Sequence, residues 1–164
     1  MFQSFFPQPK YFFSSLAVWS GFLILVWYSF GKTIGETLGF DLTETETVIG
    51  LGHFVTSEFL WFDIFFAFGA LVFFFVWRSR SPHEWQIWSV LGSALLIYLS
   101  YASVQVSVVI NAWYGPFYND IQTALTGDGG ITANDLYGHF LVFCTIAFPY
   151  ILFIILNRFF TAHY

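Results

Sequence analysis

The chain has 164 residues, of which 57% are hydrophobic, 24% aromatic and only 9% charged. Soluble domains usually carry about 25% Asp, Glu, Lys and Arg, so this composition excludes an ordinary water-soluble domain and requires lipid over much of the surface. The formal net charge of −5, with few basic residues, excludes a nucleic-acid partner. Cys144 is the single cysteine and lies in an apolar run, so it makes no internal disulfide and anchors no metal cluster.

A helix that crosses the hydrocarbon core needs about 20 mostly apolar residues, and four segments qualify. They cover approximately residues 12–30, 59–77, 87–113 and 140–156. The expected fold is an all-α membrane protein of about four transmembrane helices forming a single transmembrane region over residues 1–164. The first span has a long apolar run with no small-residue cleavage site after it, so it reads as a retained helix. Pro7 and Pro9 break structure ahead of it. The stretch from Gly31 to Gly52 reads as a polar loop that could hold a short helix. Ser81, Pro82 and His83 read as a tight turn, with Pro82 in the first turn of the next helix and Trp85 and Trp88 at the membrane interface. Residues 126–130 form a Gly-rich turn, after which Thr132 or Asn134 can cap the fourth helix. Pro149 predicts a kink within it.

The loops predict orientation. Lys10, Arg78, Arg80 and Arg158 flank the spans on one side. Lys32 lies on the other, among Glu36, Asp41, Glu44, Glu46 and Glu58, and the loop between spans three and four holds Asp120, Asp128 and Asp135. The positive-inside bias then puts both termini in the cytoplasm, and in a bacterium the acidic loops face the periplasm.

Two polar features lie within the spans. Counting about 100° per residue from Ser100, the residues Ser89, Ser93, Ser103, Ser107 and Asn111 share with it a stripe about 80° wide, while Gln105 falls on another face. Such a stripe serves either close helix packing or the wall of a water-filled cavity. Asp63 is the only acid well inside a span and lies on the side of Ala67 and Ala70. It is either a proton-binding group or an interfacial acid reaching water. Glu58 is shallower. The four histidines lack ligand spacing, no phosphate-binding Gly-rich loop is present, and no Ser or Cys has an evident base partner. The reading is therefore of a protein that is not an enzyme and uses neither metal nor cofactor.

Where span three leaves the membrane the sequence reads Asn111-Ala-Trp-Tyr-Gly-Pro-Phe-Tyr-Asn-Asp-Ile-Gln-Thr-Ala-Leu125. Trp113, Tyr114 and Phe117 are expected there as interfacial anchors, with Tyr118, Asn119 and Asp120 capping the helix end. With Met1-Phe-Gln-Ser-Phe-Phe-Pro-Gln-Pro-Lys10, Ser81-Pro-His-Glu-Trp-Gln-Ile-Trp-Ser-Val-Leu-Gly92 and Leu156-Asn-Arg-Phe-Phe-Thr-Ala-His-Tyr164, this segment resembles the SbmA/BacA family of bacterial inner-membrane peptide transporters. The motif residues are Asn111, Trp113, Phe117, Tyr118 and Gln122. The resemblance implies the N-terminal part of a transmembrane domain like that of an ABC exporter but lacking its ATPase domain. It also implies proton-driven uptake of peptides and peptide antibiotics, and a homodimer. Glu58 matches a position where family members carry an acid, which makes it the first proton-linked candidate, with Asp63 the second. Gln105 falls where some members carry Glu. Family members are roughly double this length, which implies a portion inactive on its own. The alternatives are the membrane domain of an ABC-type permease, whose first-helix region carries a similar Asn-x-Trp element, and a structural membrane subunit.

Overall fold

In the computed structural model, residues 8–43, 48–127 and 130–163 are described. The N-terminal motif before Gln8, the acids Glu44, Glu46 and Asp128, and the terminal Tyr164 lie outside them. Four long helices are present, with no strand among the described residues. Helix α1 spans Pro9–Thr37, α2 Ser57–Arg80, α3 Ile87–Thr126 and α4 Ala133–His163. Each is long and apolar enough to cross a membrane.

The helix ends have local causes. Pro9 occupies the start of α1, where its missing N–H costs nothing. The helix then runs further than the sequence reading placed it. It passes through one π-helical turn at Trp27–Gly31 and continues to Thr37, into the stretch expected as loop. Gly39, at φ 93°, ends it in the left-handed conformation, and the Phe40 N–H donates to the Gly35 carbonyl at 3.0 Å. A short 3-10 turn at Leu51–Val55 precedes α2. Pro82 lies in the turn before α3 rather than within its first turn. At the start of α4 the Thr132 N–H and hydroxyl both donate to Asp135 Oδ2 (2.8 and 2.7 Å), a reciprocal cap that selects Thr132 over Asn134.

The chain divides into two compact units. The first holds α1, α2 and the start of α3 up to Leu95. Within it, three indole N–H groups reach across between α1 and α2. Trp19 donates to the Gly69 carbonyl (3.0 Å), Trp61 to the Gly31 carbonyl (2.9 Å) and Trp77 to Ser15 Oγ (3.0 Å). Small residues make this approach possible. Gly31 and Gly35 are one turn apart, and Trp61, only 4% exposed, lies against both. In lipid, where apolar burial gives little drive, close approach and cross-helix hydrogen bonds hold helices together. A cluster of Phe12, Phe73, Phe74 and Val90 closes the other end.

The second unit holds residues 46–56 and the chain from Leu96 onward. Its core is Val106, Val109 and Trp113 of α3 against Ile146 of α4. Helix α3 does not turn out at Asn111, as the run of Asn, Gly, Pro and Asp suggested, but continues to Thr126 through Pro116. The proline removes one helical hydrogen bond. Its neighbours Tyr114 and Gly115 are exposed, and the helix bears the loss. Pro149 is likewise enclosed within α4.

Candidate functional site

The Asn111–Leu125 segment is helical, so its residues divide by angle into two faces. Trp113, Phe117 and Asp120 point toward α4. Trp113 is 5% exposed, a core residue rather than the interfacial anchor its position suggested. Its indole N–H donates to the His139 carbonyl at 3.0 Å. Phe117 stacks on its ring at 4.5 Å and 17°, and Phe143 packs at 5.0 Å. One turn on, Asp120 does not cap a helix end. Its Oδ2 lies 2.8 Å from His139 Nε2, with the two side chains 31% and 21% exposed. His139 is thus held by its carbonyl, its ring nitrogen and an edge contact to Phe117 at 5.9 Å. This clasp joins α3 and α4 at the acidic-loop end.

The opposite face carries Asn111, Gly115, Tyr118 and Gln122, which fall within an arc of about 60° at 100° per residue. All four are exposed, and the side chains of Asn111 and Gln122 have no hydrogen-bond partner among the described residues. Ser100 and Ser107 extend the arc deeper into the span and are exposed too. Their hydroxyls donate to carbonyls of their own helix, Leu96 at 2.9 Å and Ser103 at 3.2 Å. Ser100 Oγ also accepts from Asn157 at 3.5 Å. Ser89 leaves the stripe, because the π-helical turn at Ile87–Gly92 shifts the phase of everything before Ser93. It is buried and donates to the Gln86 carbonyl at 3.3 Å. Ser100, Ser107, Asn111, Tyr118 and Gln122 therefore place polar groups along one face of α3, interrupted by the exposed Val104 and turned away from the Trp113 core.

The two acidic candidates sit on α2. Glu58 is in its first turn, exposed, where the positive end of the helix dipole favours a carboxylate. Asp63 is half-buried five residues on, about 140° around the helix. The two do not form one paired site. Gln105 points to the 3-10 turn, where His53 Nε2 lies 3.0 Å from its Oε1. The two form a polar pair that sequence spacing could not reveal. The clasp of Asp120 and His139 was also missed, since its members are 19 residues apart on different helices. Among the described residues no group of His, Cys, Asp and Glu could hold a metal ion.

Residues 82–164 match the profile of the SbmA/BacA-like family, just over half the chain. The chain belongs to the SbmA/BacA-like family. The match covers the turn before α3, all of α3 with both faces of the Asn111–Gln122 segment, and α4 with its Asp120 clasp. The SbmA/BacA family is one of transporters rather than enzymes, and with four helices able to span a membrane this member is a multi-pass membrane protein.

Proposed function

We propose that this protein takes part in proton-driven uptake of peptides across a bacterial inner membrane, with both termini cytoplasmic. The observation that carries the reading is the polar face of α3, Ser100 to Gln122, within a chain of the SbmA/BacA-like family. A polar face inside a span is costly in lipid unless it meets protein or water. The Asn111 and Gln122 amides, which donate and accept without partners among the described residues, are suited to a passing peptide backbone. The acids at the outer helix ends and loops, including Asp41, Asp120 and Asp135, favour cationic peptides by long-range attraction. A second copy of the chain, as the family resemblance implies, would supply the opposite wall.

Glu58 is the proton-linked residue of this proposal. It stands at the outer end of α2, open to solvent, where a proton can be taken up from the acidic side. Asp63 serves hydration and packing. The test uses protein from the native gene, reconstituted in vesicles under an imposed pH gradient. Glu58→Gln abolishes peptide-stimulated proton influx while Asp63→Asn retains most of it. Normal influx in Glu58→Gln removes Glu58 from the pathway.

A further inference from the structure

A groove of about 790 Å³ runs between α1 and α2 in the first unit. Tyr11, Val18 and Phe22 form one wall and Val72 and Val76 the other. At its mouth stand Arg80 and Ser81, beside the N-terminal end of α1. From Gln8 to Phe22 the lining covers 14 residues of helix, about 21 Å at 1.5 Å per residue. That is the depth of one leaflet, roughly half of the ~30 Å hydrocarbon core plus part of the headgroup zone.

The serine hydroxyls and indole N–H groups in the groove are already satisfied. Ser14 donates to the Lys10 and Tyr11 carbonyls (2.8 and 3.2 Å). Ser15 donates to the Phe12 carbonyl (2.8 Å) and accepts from Trp77. Along Val18, Phe22, Val72 and Val76 an occupant therefore meets an apolar trough. The mouth differs. Arg80 is exposed and has no carboxylate within ion-pair distance among the described residues. Lys10 and Arg78 add positive charge at the same end. An apolar slot one leaflet deep beneath unpaired positive charge is complementary to an anionic amphiphile.

We propose that this groove is a binding site for one anionic phospholipid, its acyl chain along Val18 and Val76 and its phosphate at Arg80. Guanidinium offers planar paired donors to phosphate oxygens, and basic pockets between membrane helices hold anionic headgroups in this way. The bound lipid covers the α1–α2 seam from the outside.

Native mass spectrometry of the purified full chain tests the site, with phosphatidylglycerol and phosphatidylcholine of the same acyl chains added in competition. The wild-type protein retains one phosphatidylglycerol in preference, and raised salt weakens the preference. Arg80→Gln lowers the preference about five-fold, the value of one basic residue near a membrane surface. Arg80→Lys restores much of it, and Lys32→Gln, at the opposite end of α1, leaves it unchanged. Val18→Trp fills the trough and releases both lipids. Equal retention of the two lipids by the wild-type chain overturns the proposal without recourse to any variant. So does retention of no lipid together with disulfide pairing of Val18→Cys chains, which would show a second copy in the groove.

Discussion

Replacing Gly35 by alanine forces a methyl group into a tight contact between α1 and α2. A Cβ built there lies 2.7 Å from Leu42 Cδ1, 2.9 Å from Trp61 Nε1 and 3.0 Å from Trp61 Cδ1. Carbon atoms sit comfortably at about 3.5–4.0 Å, so both neighbours must yield. Leu42 can turn its tip aside. Trp61 cannot, because its buried ring stacks on Trp27 at 6.2 Å, packs against Phe40 at 5.6 Å, and its N–H is committed to the Gly31 carbonyl. Overpacking of this kind costs about 1–3 kcal/mol, and a weakened cross-helix bond adds about 0.6–1.7 kcal/mol. Against this, alanine favours helix over glycine by roughly 0.5–1 kcal/mol. The net is a loss of about 1–4 kcal/mol. Two other glycines supply the comparison. At Gly69 the clash is 2.6 Å to Leu23 Cδ1, the end of a flexible side chain, so Gly69→Ala should cost less than Gly35→Ala. At Gly21 nothing lies within 4 Å, so Gly21→Ala should stabilise by the propensity gain alone. The assay is reversible unfolding in mixed micelles, following helicity as a denaturing detergent is raised. The expected order of stability is Gly21→Ala, wild type, Gly69→Ala, Gly35→Ala. A Gly35→Ala protein as stable as Gly21→Ala would refute the packing of Trp61 on this face.

Other outcomes follow from the same structure. Trp113→Phe keeps the stacked ring but deletes the indole bond to the His139 carbonyl, and should cost about 1 kcal/mol in the same unfolding assay; no change would mean that bond contributes nothing. Gln86 is 1% exposed, its Nε2 reaches the Phe74 carbonyl at a long 3.4 Å, and its Oε1 has no donor among the described residues. Gln86→Met should therefore leave stability unchanged or raise it, and a clear loss would show the amide is fully satisfied. Burial holds the His83 imidazole below its ordinary pKa of 6.5. Above pH 6.5 both folded and unfolded chains carry it neutral. As pH falls through 6.5 the unfolded chain takes the proton first, so wild-type stability drops until the lower folded pKa is passed. His83→Gln should flatten that part of the stability profile, and an unchanged slope would contradict the burial.

The four spans were legible because a membrane helix writes itself as a run of apolar residues long enough to count. Their ends were not. Lys32 and Glu36 made the stretch after Gly31 look like loop, yet a helix leaving the bilayer can carry charges on its exposed turns, and these two face each other at 3.8 Å. Pro116 and its neighbours read as a turn at the end of α3, but one missing N–H does not stop a helix whose opposite face is fixed by Trp113 and Phe117. The tryptophans misled for a related reason. Trp85 and Trp88 are exposed, whereas Trp19, Trp61, Trp77 and Trp113 spend their N–H groups between helices. The spacing of Gly31 and Gly35 was the available signal for the Trp61 contact. The stripe on α3 was visible from 100° arithmetic except across the π-helical turn, where that arithmetic fails. The pairs of His139 with Asp120 and His53 with Gln105 depend on which helices become neighbours, and no local pattern encodes that.

Proton-driven peptide uptake is tested most directly by vesicles containing protein from the native gene, loaded at neutral pH and placed in acid buffer with a fluorescent cationic peptide. Saturable peptide entry without ATP is expected, lost when a protonophore collapses the gradient and reduced more by Asn111→Leu on the polar face of α3 than by Ile110→Leu beside it. Entry that survives collapse of the gradient, or that proceeds equally in the two variants at equal reconstitution, would contradict it.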